Sequence, residues 1–187
     1  MGQTKTDNKY LIDKIALRET MLPNDRSVKV LNAFGGKNKI WGAIKKIRNP
    51  QKIDVLSIDM STDCGGIYLV GNNMKFISAM DLQKFDAIDL DAYGCPFDQL
   101  EIILNSGFCG IVFVTFIQVV NGALPDGFLE KLGFKKEMIK KCPSVFYREG
   151  LKKMLGYLNM YGIDEVLVKS KNRHNYIGFN RKQPSLF

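Results

Sequence analysis

Two aspartates one residue apart, Asp89 and Asp91, close an apolar run (Ala87-Ile88-Asp89-Leu90-Asp91). They lead into an aromatic turn, Ala92-Tyr93-Gly94-Cys95-Pro96. Carboxylates at the end of a buried strand are costly unless they meet a ligand or a paired donor. In open α/β sheets, ligands gather at the carboxyl ends of the strands. The pair therefore reads as the floor of a binding site. The plainer alternative is that both acids cap the helix starting at Pro96, for which one would suffice.

A second group lies upstream. Asn32-Ala33-Phe34-Gly35-Gly36 joins a short strand to a helix. A glycine pair there lets a ligand approach the backbone, and the helix start offers free N–H groups. No Gly-Lys-Ser/Thr follows, so it is not a Walker motif. Asp59, followed by Met60, ends the next strand. An acid there commonly holds the ribose hydroxyls of a nucleoside cofactor, and otherwise would cap the following loop. Asp81 is placed either to reach an adenine amino group or to cap the Leu82-Gln83-Lys84 turn.

The elements that must position these residues follow from periodicity and breakers. Lys9 to Leu22 reads as a leading helix with an incomplete apolar stripe, Leu11, Ile12, Ile15, Ala16 and Met21, stopped by Pro23. It would pack on the sheet or cover a ligand, packing being the favoured role. Val28 to Phe34 is a strand, and Lys37 to Ile47 a helix with Ile40, Trp41, Ile44 and Ile47 on one face. Asp54 to Met60 is the second strand. Glycines 65, 66 and 71 argue against a long crossover helix between 61 and 78. Ile67 to Val70 and Met74 to Ile77 look like a hairpin around Gly71-Asn72-Asn73, with Lys75 to Ser78 as the third sheet strand.

Ala87 to Leu90 is the central strand. A helix runs from Pro96 to Ser106, with Leu100, Ile103 and Leu104 facing the sheet, and ends at Gly107. Cys109 to Gln118 is apolar almost throughout, the mark of a strand buried on both faces. Short helices are expected at Phe128 to Leu132 and Lys135 to Lys141, and a long one from Pro143 to Tyr161. Glu165 to Ser170 and Tyr176 to Asn180 are too close in sequence to be anything but antiparallel neighbours. The sum is a three-layer α/β fold with a Rossmann-like, seven-stranded, mostly parallel sheet and an antiparallel last strand.

A chain of 187 residues, 45% hydrophobic and 11% aromatic, fits one globular domain. Residues 1–23 form the leading helix segment and 119–142 a basic insert at the rim of the site. No apolar run reaches the ~18 residues of a membrane span, and the start lacks a signal-peptide core. Cys64, Cys95, Cys109 and Cys142 form no CxxC pair, and His174 is the sole histidine. No metal site is expected, and free thiols suit a reducing cytoplasm. The net charge of +8, from 27 basic and 19 acidic residues, attracts polyanions and makes RNA or DNA the natural partner class. Lys131, Lys135, Lys136, Lys140 and Lys141 concentrate that charge in the insert. Such a run is more often a solvated face, and its placement makes it a candidate phosphate contact.

The order of elements from Val28 to Asn180 resembles the Rossmann-like S-adenosylmethionine-dependent methyltransferases. Asp89-Leu90-Asp91-Ala92-Tyr93-Gly94-Cys95-Pro96 is similar to the Asp-Leu-Asp-Pro-Phe-Gly-x-Pro motif of tRNA guanosine dimethyltransferases. It is similar, more loosely, to the Asp/Asn-Pro-Pro-Tyr motif of amino-methylating nucleic-acid enzymes. The resemblance implies S-adenosyl-L-methionine as cofactor and an exocyclic base amine as acceptor. It implies Asn32, Ala33, Phe34, Gly35 and Gly36 as the cofactor loop, Asp59 with Met60 at the ribose, Asp81 at the adenine and Asp89 along the methionine side. Asp91 would orient the amine and Tyr93 stack on the base. The sequence departs from the family at Asn32, where an acid is usual, at Gly35-Gly36 in place of Gly-x-Gly, and at Ala92 in place of proline. Other readings are a small-molecule or protein methyltransferase, and a non-catalytic Rossmann-like binding module. The latter draws on Asn32, which cannot neutralise an ammonium.

Overall fold

The computed structural model describes residues 10–49, 52–62, 66–118, 126–142 and 144–182. In chain order its elements are α1 (Leu11–Met21), β1 (Val28–Asn32), α2 (Lys39–Ile47), β2 (Ile53–Asp59), β3 (Ile67–Val70), α3 (Asn73–Ala79), β4 (Ala87–Leu90), α4 (Phe97–Asn105) and β5 (Gly110–Ile117). They continue with α5 (Asp126–Lys131), α6 (Lys136–Lys141), α7 (Val145–Met160), β6 (Val166–Lys171) and β7 (His174–Arg181).

The strands form one sheet in the order β3-β2-β1-β4-β5-β7-β6. The pairs β2–β3, β1–β2, β1–β4 and β4–β5 are parallel, while β7 runs antiparallel to both neighbours. The expected seven-stranded, mostly parallel sheet is therefore present. The order reverses between β1 and β4, which opens a crevice above their carboxyl ends. Asn172 and Arg173 both take positive φ, 48° and 65°. That two-residue turn matches the right-handed twist of the β6–β7 hairpin.

Apolar layers cover both faces of the sheet. Leu17, Ile40, Trp41 and Ile44 pack on Val28, Val30, Val55 and Phe113 on one face. Leu100, Ile103, Leu104, Phe146, Met154 and Leu158 pack on Leu31, Ile58, Ile88, Val112 and Phe116 on the other. In β5 all residues from Ile111 to Phe116 are buried, as the continuous apolar run required.

Three expectations are corrected. Met74 to Ile77 is not a strand. Asn72 accepts a hydrogen bond from the Met74 N–H (2.8 Å), and this side-chain cap starts α3. The third strand is Ile67–Val70, and it pairs parallel with β2 instead of closing a hairpin. In α2, Ile47 turns outward (63% exposed) while Ile40, Trp41 and Ile44 are buried. In α1 the expected stripe is only partly inward: Leu11, Ile15 and Met21 pack partly buried against the core. Ile12 is 82% exposed, and the buried residues are Lys14, Leu17 and Arg18. Two cations thus enter the interior on one helical face, at i and i+4.

α1 is held at both ends. Arg48, just after α2, pairs with Glu19 (3.0 Å) and donates to the Glu19, Leu22 and Pro23 carbonyls. It thereby satisfies acceptors that a helix end leaves open. At the other end, Asn172 donates to the Tyr10 hydroxyl (2.6 Å). Between them the helix lies so close to β7 that a Cβ at Gly178 would collide with the Met21 sulfur. Among the described residues no helix is long and apolar enough to cross a membrane.

Candidate functional site

The loop after β1 turns back against β2. Gly35 donates to the Ile58 carbonyl (2.8 Å), and a Cβ there would stand 2.9 Å from that of Ser57. Gly36 follows with φ of 46° and aims its N–H at Asp59 Oδ2 (2.7 Å). The other Asp59 oxygen accepts from the Ser61 N–H (2.8 Å). Two sequence-distant features, the glycine pair and the acid at the tip of β2, thus form one unit. Each carboxylate oxygen keeps a further lone pair for a ligand donor.

Beside this unit opens a cleft of about 360 Å³ lined by Ala33, Phe34, Asp59, Met60, Asn72 and Gln99, among others. Met60 is 74% exposed and offers an apolar wall next to the acid. Asn73 spans the cleft floor, donating to the Ala33 carbonyl (3.0 Å) and accepting from Gln99 (3.1 Å). A volume of this size is at the lower end of small-molecule sites.

The two acids at the end of β4, Asp89 within it and Asp91 just beyond, have a different fate. Arg18 grips Asp89 with Nε on Oδ2 (2.8 Å) and Nη2 on Oδ1 (2.5 Å), and Trp41 Nε1 donates to Oδ2 (2.8 Å). Both partners are buried. Burial pushes the Asp89 carboxyl above its ordinary value, and the Arg18 charge and hydrogen bonds oppose that rise. The guanidinium itself is held above its ordinary value by Asp89, against its own burial. We take the pair as ionised, because three N–H donors and a fixed cation converge on one carboxylate.

Asp91 receives Lys14 Nζ at 2.8 Å from Oδ1 and 3.0 Å from Oδ2, and Thr115 donates its hydroxyl to Oδ1. Neither acid caps the next helix. α4 starts at Pro96 with no side-chain cap, so the capping alternative is excluded.

The match between α1 and β4 is geometric. Four helical residues span about 6 Å, and two strand residues about 6.6 Å. Lys14 and Arg18 therefore meet Asp91 and Asp89 in register. That spacing is present in the sequence but identifies the partners only once α1 is placed against β4. Trp41 and Thr115 carried no such signal, nor did Asn72, Asn73 and Gln99 in the cleft.

Asn32 is buried beside Asp89, and its Nδ2 reaches Asn38 Oδ1 and Ser57 Oγ only at 3.5 Å. Tyr93 is 75% exposed in the turn after Asp91. The loop Asn32 to Gly36, Asp59, Met60, Asp91 and Tyr93 all stand at the carboxyl edge of the sheet. Two expected site residues do not serve as expected. Asp81 lies at the opposite edge, before β4. There it accepts from the Gln83 N–H (3.2 Å), and its carboxylate lies 3.9 Å from Lys84. It closes a turn and is remote from any adenine beside Asp59. Asp89 is consumed by Arg18 and Trp41, so its carboxylate is not open to a cofactor. Among the described residues no group of three or more His, Cys, Asp or Glu could hold a metal ion.

Neither a family model nor a curated protein matches this sequence. Solved structures do match its architecture. A protein assigned as a ribosomal RNA methyltransferase from Plasmodium falciparum superimposes with a TM-score of 0.57 at 13% identity, covering 94% of this chain and 97% of its own. The precorrin-6y C5,15-methyltransferase of Geobacter metallireducens gives 0.54 at 11%, covering 97% and 93%. The fold is that of the S-adenosylmethionine-dependent methyltransferases. A third such structure is an ethanolamine-phosphate N-methyltransferase of Haemonchus contortus with S-adenosylhomocysteine bound. It gives 0.53 at 12%, with 92% of this chain covering 53% of that one.

The cleft beside Asp59 offers the polar and apolar groups that a nucleoside would need. Asp59 has acceptor capacity for ribose hydroxyls, and Met60 and Phe34 supply apolar walls. At the methionine end the chain offers the neutral Asn32 and a second, small cavity that Lys14, Asn32, Asp89 and Asp91 help to line.

Proposed function

We propose that this chain is an S-adenosylmethionine-dependent methyltransferase whose acceptor is an exocyclic amine of a nucleic-acid base. The observation that carries the reading is the Gly36–Asp59 unit beside the 360 Å³ cleft, at the crevice where the strand order reverses. When bound, the cofactor supplies an activated sulfonium methyl. The protein's part is to position an amine lone pair in line with it.

Asp59 would take the ribose hydroxyls and the Asn32–Gly36 loop the rest of the cofactor. Asp91 keeps acceptor capacity at Oδ2, where Lys14 is its one recorded donor, and would take a hydrogen bond from the amine. Tyr93 would stack on the base, with a duplex target flipped out. The charge of +8 favours a polyanionic acceptor over a small neutral one.

One observation favours a second reading, a nucleoside-binding module that does not transfer methyl groups. An ammonium 2.8 Å from Asp91 opposes the stabilisation of positive charge developing on the acceptor nitrogen. Calorimetric titration with S-adenosylmethionine and S-adenosylhomocysteine, with NAD as control, tests the common core of both. Saturable binding of the sulfur nucleosides alone supports it, and no heat at millimolar ligand removes it. Transfer of labelled methyl to RNA or DNA then separates the first reading from the second.

A further inference from the structure

We propose that the carboxyl edge of the sheet carries a track for single-stranded nucleic acid, running from Lys37 and Lys39 across Tyr10 to Lys171, Arg173 and Tyr147. The inference rests on the nucleic-acid reading above and gives it a binding surface separate from the basic insert.

Topology brings these residues to the site. Ile117, the last residue of β5, pairs with His174, and His174 pairs with Lys171. The β6–β7 turn therefore stands at the same edge as Asp59 and Asp91. Lys37 and Lys39 line the small cavity whose far wall includes Leu11, the neighbour of Tyr10. The Tyr10 ring meets His174 edge-on, centroids 5.5 Å apart, with Lys171 Nζ at 5.2 Å from its centre. One residue beyond the Asn172 contact, the Arg173 guanidinium sits 4.4 Å above the Tyr147 ring. At the β6–β7 turn two cations, Lys171 and Arg173, each sit over a ring.

The charges differ from those of the opposite edge. There Arg26 pairs with Asp86, Lys84 with Asp81 and Lys182 with Glu165. Lys37, Lys39, Lys171 and Arg173 form no ion pair among the described residues. Lys171 and Arg173 rest on rings, which hold a cation in place without neutralising it. A phosphate can recruit them with no carboxylate to displace. Tyr10 and Tyr147 are half-buried, and the ring open to stacking at this edge is the exposed Tyr93. Backbone-tracking cations beside an exposed ring are the arrangement that single strands use, whereas a duplex hides its base faces.

The test is fluorescence anisotropy with labelled oligo(U) and oligo(dT) of about 15 nucleotides, from about 50 to 300 mM KCl. Each phosphate contact on a single strand contributes about 0.7 to the log–log salt slope. K171A/R173A and K37A/K39A should each flatten that slope by about 1.4 and weaken binding tenfold or more at low salt. K84A/K182A, at the opposite edge, should match the parent. Parent-like affinity and slope in both track variants would overturn the proposal. So would equal competition by duplex, by heparin or by vesicles of phosphatidylcholine with phosphatidylserine, since each marks a general polyanion surface. Thermal unfolding and S-adenosylhomocysteine titration of the same variants separate the two claims. Oligonucleotide binding without nucleoside binding keeps the track and refutes the methyltransferase reading. Nucleoside binding without oligonucleotide binding does the reverse.

Discussion

Replacing Arg18 by Met should be among the most damaging single changes in this protein. The substitution keeps much of the apolar stem and removes the charge, leaving the Asp89 carboxylate buried with Trp41 as its remaining side-chain donor. Removing one partner of a buried ion pair costs about 3–5 kcal/mol. At about 2–4 °C per kcal/mol for a protein of this size, the melting temperature should fall by roughly 6–20 °C. Asp89→Leu alone strands the guanidinium and the indole N–H and should cost a similar amount. The double variant removes both charges, so it should be more stable than either single by about 2 kcal/mol or more, with an unmet Trp41 N–H still costing about 1–3 kcal/mol.

The deficit should depend on pH in a defined direction. Burial already raises the Asp89 carboxyl, and losing Arg18 raises it further. Between the unfolded and folded values the native state of R18M binds more protons than the unfolded state. Its stability therefore falls as pH rises through that window. The gap to the parent should be wide at pH 8 and narrow towards the ordinary carboxylate range. Urea denaturation of the four proteins at both pH values measures all of this. A loss under about 1 kcal/mol for R18M, or a double variant no better than its singles, would refute the account of α1 as an ionic bolt.

Asp59→Ala should weaken S-adenosylhomocysteine binding at least tenfold by calorimetry, since it removes both the proposed ribose acceptor and the anchor of Gly36. Asp91→Ala should abolish methyl transfer while leaving nucleoside affinity within a few fold. Equal transfer rates would remove Asp91 from the chemistry. Asp81→Ala should leave nucleoside affinity unchanged and cost about 1 kcal/mol or less in denaturant unfolding, the value of a lost cap. Gly35→Val should lower both stability and nucleoside affinity, because its side chain would meet Ser57.

The sheet was legible because its strands obey simple patterns. β5 reads as apolar on both faces, and the acids of β4 stand where a strand must end. The neighbourhood of those acids was not legible. Hydrophobic periodicity looks for apolar residues on the inner face of a helix, and α1 buries Lys14 and Arg18 there. The acids were therefore read as open to ligand when they are largely satisfied by the protein. α3 was misread because Gly71-Asn72-Asn73 reads as a hairpin turn between two apolar runs, while the deciding signal was one capping side chain, Asn72. Of the two readings of Asp81 the turn cap holds, and the adenine contact fails because the assignment of the third strand fixed which sheet edge it would occupy. Once α3 runs back across the sheet, Asp81 emerges on the far side.

The seat of α1 also orders events in time. The helix precedes the described strands in the chain, yet it rests on Asp89, Asp91 and the bare backbone of Gly178. β7, which carries Gly178, must insert beside β5, across a long sequence separation that makes pairing slow. An α1 formed before that strand is in place finds its acidic partners at the end of β4 but lacks the Gly178 surface on which it lies. Among the described residues, the first helix in the chain should therefore be among the last to be secured. Pulse-labelled hydrogen exchange during refolding should find its amides protected no earlier than those of β7. Earlier protection would mean that the helix forms before its seat exists.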